Sequence, residues 1–139
     1  KSDKPIKIEY FQDNNITIRK VVSGNNHGSC LDDIGQVYCW GLGTEGVLGN
    51  SSKKNSYIPI VVEKLKSKRI IDLHSGCHHI VTLTDDKIVY SWGNNRFCQS
   101  SKNLKKKIIK KPHELYKSND IINIYAGSYS TLIMVNQPL

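Results

Sequence analysis

One alanine (Ala126), three arginines (Arg19, Arg69 and Arg96), one methionine and two phenylalanines are all that the 139 residues hold of these types. The shortage of arginine matters most. Specific readers of base edges rely on the planar guanidinium for bidentate contacts, so a sequence-reading nucleic-acid site is disfavoured despite a net charge of +8. The basic excess is almost entirely lysine, 17 of them beside 17 isoleucines and 12 asparagines. Coding bias explains such a skew as well as selection for a polyanionic partner does. Long apolar runs are missing too: none approaches the roughly 20 residues of a membrane span. The opening KSDKPIK has neither an initiator methionine nor an apolar signal peptide, and we expect a segment excised from a longer protein.

Metal and disulfide signatures are absent from the cysteine spacing. Cys30, Cys39, Cys77 and Cys98 form no C-x-x-C pair and no finger spacing, which reads as reduced thiols of an intracellular protein, nuclear or cytoplasmic. Two sequons, Asn15-Ile16-Thr17 and Asn50-Ser51-Ser52, are expected to be unused without a secretory signal. No nucleophile, base and orienting acid assemble at local spacing, and no phosphate-cradling Gly-x-x-x-x-Gly-Lys occurs. Gly41-Leu42-Gly43 lacks the helix that a dinucleotide loop requires. Bond-making catalysis and a bound cofactor are therefore not expected.

What the chain does have is a repeat. Val37-Tyr38-Cys39-Trp40-Gly41 recurs as Val89-Tyr90-Ser91-Trp92-Gly93, an offset of 52 residues. Ser23-Gly24-Asn25-Asn26-His27 matches Ser75-Gly76-Cys77-His78-His79, and a third copy follows as Ala126-Gly127-Ser128-Tyr129-Ser130. Apolar stretches precede each copy at 18–22, 70–73 and 121–124. Pro5, Pro59 and Pro112 keep nearly the same period and divide the chain into approximate repeats 5–58, 59–111 and a truncated 112–139.

Runs such as Ile80-Val81-Thr82-Leu83 and Lys87 to Trp92 are β-branched and aromatic, with the polar corner Thr84-Asp85-Asp86 between them. In the first copy the corner contains Gly35, which can supply a positive φ. Residues 61–69 read as a strand followed by a turn. A period of about 50 residues holding three or four short strands is the signature of a β-propeller blade. The expected fold is all-β, with antiparallel blades, about 2.7 repeats and an incomplete propeller. Gly24, His27, Trp40, Gly41, Gly76, His79, Trp92, Gly93 and Gly127 are assigned to its architecture.

The pattern small-Gly-x-x-His, hairpin, Val-Tyr-x-Trp-Gly, then Gly-x-Leu-Gly resembles the regulator of chromosome condensation repeat from about Pro5 to Val135. The first copy has Gly46-Val47-Leu48-Gly49. The second keeps only Gln99 of the usual Gly-Gln-Leu-Gly, and the third has Ser130 in place of the histidine. The resemblance implies a seven-bladed propeller. It also implies a chromatin-associated guanine nucleotide exchange factor for a Ran-like small GTPase, or a scaffold or substrate-recruiting propeller such as those of HECT-type ubiquitin ligases and ciliary proteins. The tryptophan-bearing repeats of the family's plant UV-B photoreceptors are replaced here by Asn25-Asn26 and Cys77-His78, so light sensing is not expected.

The candidate interaction site is the loop after each Trp-Gly strand. Six lysines fall between positions 102 and 111: Lys102, Lys105, Lys106, Lys107, Lys110 and Lys111. Lys53 and Lys54 occupy the positions of Lys105 and Lys106 in the first copy. Equivalent loops lie on one face of a propeller, so these charges are expected to gather into a patch suited to DNA or a nucleosome, an acidic protein surface or anionic lipid. A solvated loop with no partner fits equally well. His74, Cys77, His78 and His79 are the densest set of potential metal ligands, but adjacent strand residues point to opposite faces. Cys30 and Cys39 flank one hairpin and are expected to face each other as small buried side chains. A chain of 2.7 repeats cannot close a ring of at least about four blades, and isolated copies are expected to self-associate.

Overall fold

The computed structural model describes residues 3–136. Two four-stranded antiparallel meanders follow one another, in the orders β1-β2-β3-β4 and β5-β6-β7-β8, and a two-stranded sheet, β9-β10, comes third. The first sheet contains β1 (Ile18–Ser23), β2 (His27–Asp32), β3 (Val37–Gly41) and β4 (Ser56–Val61). The second contains β5 (Ile70–Ser75), β6 (His79–Thr84), β7 (Ile88–Asn94) and β8 (Ile108–Lys117), and the third β9 (Ile121–Ala126) and β10 (Thr131–Val135). The sequence repeat is a repeat of register: His27 opposes Gly41 and Gly28 opposes Trp40 as His79 opposes Gly93 and Ile80 opposes Trp92. These are propeller blades, two complete and one partial. Pro59 and Pro112 fall inside the fourth strands, where an edge tolerates the missing N–H. The proline-bounded repeat and the sheet are thus offset cuts of one unit.

Each blade buries its faces against its neighbours. Leu31, Val37, Leu48 and Val62 of the first blade meet Leu73, Ile80 and Trp92 of the second. Val81, Leu83 and Val89 meet Ile121 and Ile124 of the third. Full burial of such side chains is worth about 1.5–3 kcal/mol each, and only stacking supplies it. β6 is accordingly buried at all six positions.

The outward face of the first blade has a different cover. A single-turn helix, α1 (Tyr10–Asp13), sets Tyr10 and Phe11 edge-on to Tyr38, with ring centroids at 6.4 and 5.6 Å, and Phe11 also meets Trp40 at 6.1 Å. The stretch 61–69 ends β4 at Val61 and then makes a 3-10 turn at Glu63–Leu65 that buries Leu65.

The glycine-histidine motif forms the seam between blades. His27 Nε2 lies 2.9 Å from Ser75 Oγ, and His79 Nε2 lies 3.2 Å from both the Ser130 carbonyl and Thr131 Oγ1. A Cβ on Gly24 would sit 2.1 Å from the His27 ring, and one on Gly76 2.2 Å from the His79 ring, so glycine is what makes room for the imidazole. The backbone continues the chain of contacts, with Asn25 N–H donating to the Cys77 carbonyl at 3.0 Å and Cys77 N–H to that of Ser128 at 3.1 Å. Farther out, Trp92 Nε1 donates to the Val47 carbonyl at 2.7 Å. The Gly-x-Leu-Gly loop of one blade is thereby the seat of the next blade's tryptophan.

Cys30 and Cys39 do not face each other. Cys39 opposes Ser29, and Cys30 opposes Tyr38, so the one-residue stagger puts the two thiols on opposite faces of the sheet. Burial first of all pushes both thiols up to about 12, and both remain neutral packing groups.

Candidate functional site

In an antiparallel meander the links after the first and third strands leave from the same end. That end carries the seam turns at 24–26, 76–78 and 127–130 and both long loops, 42–55 and 95–107. The opposite end has tight corners at 33–36 and 85–87, with Gly35 at φ +93°.

The second long loop is built around two buried asparagines. Asn95 Oδ1 accepts from the N–H groups of Ser100 and Ser101 at 3.1 and 2.7 Å. Its Nδ2 donates to the carbonyls of Asn103 and Lys106 at 3.1 and 2.7 Å. Every polar position of the amide is used, which fixes the backbone that presents Lys105, Lys106 and Lys107. Asn94 Nδ2 donates to Glu45 of the first long loop at 2.7 Å, and Arg96 pairs with the same carboxylate at 2.9 Å. Gln99 is buried, its side-chain oxygen accepting from Phe97 N–H at 3.0 Å and its backbone carbonyl from Thr131 Oγ1 at 2.7 Å. The loop therefore ties all three blades together. Phe97 and Tyr129 stand exposed on it and on the third seam turn, edge to face at 5.6 Å.

The eight candidate lysines separate into two groups. Lys102, Lys106, Lys110 and Lys111 line a groove of about 700 Å³ between the two complete blades. The groove is completed by Lys64, in the 3-10 turn, which sequence reasoning missed. Ser51, Ser101 and Asn103 add polar rims, and Ile108, Ile109 and Pro112 supply an apolar floor. Lys53, Lys54, Lys105 and Lys107 are exposed and do not line it. None of the five groove lysines has a carboxylate within salt-bridge distance among the described residues.

The histidine-cysteine set does not converge. His74 Nε2 lies 3.1 Å from Asp72, with its ring against Tyr125 at 5.6 Å. His78 Nε2 lies 3.3 Å from Asn25 Nδ2, and His79 points into the seam. Among the described residues no cluster of His, Cys, Asp and Glu is placed to hold a metal ion. Burial would raise the Asp72 pKa, but the Lys20 ammonium at 2.7 Å and the Leu73 N–H at 2.8 Å hold it below the ordinary carboxylate value. Burial, with the neighbouring His78 and His79, pushes His27 down to about 4. The His79 pKa is likewise lowered to about 4, against the raising effect of its bond to Ser130. Both seam imidazoles are neutral at physiological pH.

Two models of the regulator of chromosome condensation (RCC1) repeat match the chain, at residues 35–83 and 18–47. Among curated proteins it is 38% identical over 95 residues to human E3 ubiquitin-protein ligase HERC2, covering 68% of this chain and 2% of the ligase. It is 31% identical to the human inhibitor of Bruton tyrosine kinase, covering 96% of this chain and 10% of that protein. To the frog (Xenopus laevis) RCC2 homolog it is 27% identical, over 86% of this chain and 24% of that protein. Among solved structures, human WBSCR16 superposes with a TM-score of 0.78 at 20% identity, over 85% of this chain and 30% of that one. Prp20p from Saccharomyces cerevisiae gives 0.74 at 20% identity, over 86% and 31%. The chain thus spans a minor part of every one of these relatives.

Proposed function

The chain belongs to the regulator of chromosome condensation (RCC1) repeat family, and on that premise we propose that it works as a protein-interaction segment of a β-propeller, docking its partner through the loop-bearing end. The observation that carries this is the buried amide of Asn95, with four hydrogen bonds inside one loop. A loop held that firmly presents its side chains without the ordering cost of a mobile one. Phe97 and Tyr129 give the same end an exposed aromatic pair, the residue type that anchors protein interfaces.

The finer reading is an exchange factor for a Ran-like small GTPase, chromatin-bound and nuclear, with DNA contacted through Lys105, Lys106 and Lys107. Likeness to Prp20p, whose structure is described together with its binding to Gsp1p and histones, supports it. Exchange needs no bond-making triad, only differential binding that favours the nucleotide-free state. A second reading is partner recruitment within a larger protein, supported by the 38% identity to a ubiquitin ligase of which this chain matches 2%. The full-length parent, mixed with a Ran-like GTPase carrying a labelled nucleotide, separates the two. Accelerated release supports exchange; unchanged release removes it and leaves recruitment.

Isolated copies of the chain are further proposed to associate. The outward face of the third blade leaves Ile122, Leu132 and Met134 exposed, an apolar face that a blade ordinarily covers. A strictly monomeric species in light scattering would contradict this.

A further inference from the structure

The groove between the blades takes part of its lining from the long loops and adds to it the apolar residues of β8. Its lysines come from three separate places: Lys64 from the 3-10 turn, Lys102 and Lys106 from the second long loop, Lys110 and Lys111 from β8. Like charges brought together by the fold without carboxylates repel one another, and an anionic partner relieves that repulsion. The floor is apolar, with Ile109 and Pro112 buried beneath the lysine rims. One wall of the groove is the strand β8, tied to the first long loop where the Lys110 carbonyl accepts from Ser51 N–H at 3.0 Å.

Charge alone would suit a nucleic acid, but the walls do not. His113 is the single aromatic ring of the lining and no Phe, Tyr, Trp or Arg joins it, so successive bases find no run of stacking surfaces and no planar donor fork. An apolar floor between ammonium rims instead matches an extended acidic peptide carrying apolar side chains at alternate positions. In a strand those side chains alternate between faces, so the apolar set meets Ile108, Ile109 and Pro112 while the carboxylates meet the lysines. From position 108 to 113 a strand extends roughly 17 Å, room for about six extended residues.

We propose that this groove binds an acidic, apolar-alternating peptide segment of a protein partner. The proposal rests on the interaction-module reading and names the chemistry of a second contact, beside the loop-bearing end and sharing Lys102 and Lys106 with its second long loop.

The test is fluorescence anisotropy of the full chain with a fluorescein-labelled hexapeptide alternating glutamate and leucine, beside hexaglutamate and hexathymidylate. The alternating peptide should bind tightest, and its affinity should fall with salt. Lys110→Glu with Lys111→Glu should weaken it about tenfold or more, while Lys53→Glu with Lys54→Glu should not. Lys64→Glu with Lys102→Glu provides an independent pair should the strand variant disturb folding. Tighter binding of hexathymidylate, equal binding of hexaglutamate, or equal loss in the Lys53/Lys54 variant would overturn the proposal. Absence of peptide binding in a parent protein that still engages a partner through its loop-bearing end would overturn the groove alone.

Discussion

His27 donates from Nε2 to Ser75 Oγ across the seam between the first two blades, at 2.9 Å. The direction follows from the serine, whose hydroxyl donates onward to the Gly76 carbonyl at 3.0 Å. His79 repeats the arrangement by donating from Nε2 to the Ser130 carbonyl at 3.2 Å, leaving its Nδ1 buried with no partner among the described residues. The histidine of each complete blade is thus a neutral bolt into the next blade.

This predicts a pH-dependent seam. Both imidazoles have folded pKa values of about 4 against 6.5 for a free one, so below 6.5 the unfolded chain takes up protons that the folded chain refuses. The stability they contribute is complete above 6.5 and is lost as the pH falls toward about 4. Asp72, held below the ordinary carboxylate value, loses its contribution only at lower pH. Thermal melting temperatures should fall across that window, and the His27→Gln, His79→Gln double variant should melt lower at neutral pH with a flatter profile. An unchanged slope in the double variant would contradict the bolt.

Gly76→Ala tests the space the bolt needs. The new methyl would lie 2.2 Å from the His79 ring and 2.5 Å from the Gly127 carbonyl, and overpacking of this kind costs about 1–3 kcal/mol. Urea unfolding should show that loss. Adding His79→Ala should restore little, because the clash with the backbone carbonyl remains.

Trp92→Phe removes the donor to the Val47 carbonyl, a 2.7 Å bond in a fully buried place. An unsatisfied buried carbonyl costs about 1–3 kcal/mol. The variant should be destabilised by that order and should lose the blue-shifted part of the tryptophan emission, leaving the more exposed Trp40. A variant as stable as the parent would show that the Gly-x-Leu-Gly loop does not hold the tryptophan.

Lys105→Ala, Lys106→Ala and Lys107→Ala together test nucleic-acid contact at the loop-bearing end. If DNA is bound there, the triple variant should bind more weakly with a shallower salt dependence. Unchanged affinity and slope would mark the three lysines as solvated surface.

The fold was legible because a blade cannot bury its faces alone, and so it repeats. The 52-residue offset of Trp40 and Trp92 is visible in the chain and reappears as identical strand register. Contacts that depend on packing left weaker traces. Lys64 joins the groove only because the turn at 63–65 lies beside β8, a neighbour distant in sequence. α1 is a single turn, too short to show a 3.6-residue period. The opposite facing of Cys30 and Cys39 hangs on a one-residue stagger that composition does not report. Asn94 and Asn95 did carry a signal: asparagines directly after a Trp-Gly strand are suited to bonding backbone amides a few residues on, as Asn94 Oδ1 does with Arg96 N–H at 2.9 Å.

The most direct test of an interaction module that docks through its loop-bearing end compares two charge variants of the parent protein in its own cells. One carries Lys105→Glu, Lys106→Glu and Lys107→Glu on the second long loop; the other carries Asp33→Lys and Asp86→Lys on the opposite corners. Quantitative affinity purification should show specific partners lost from the loop variant and retained by the corner variant. Partners retained by the loop variant, or lost only from the corner variant, would contradict the account.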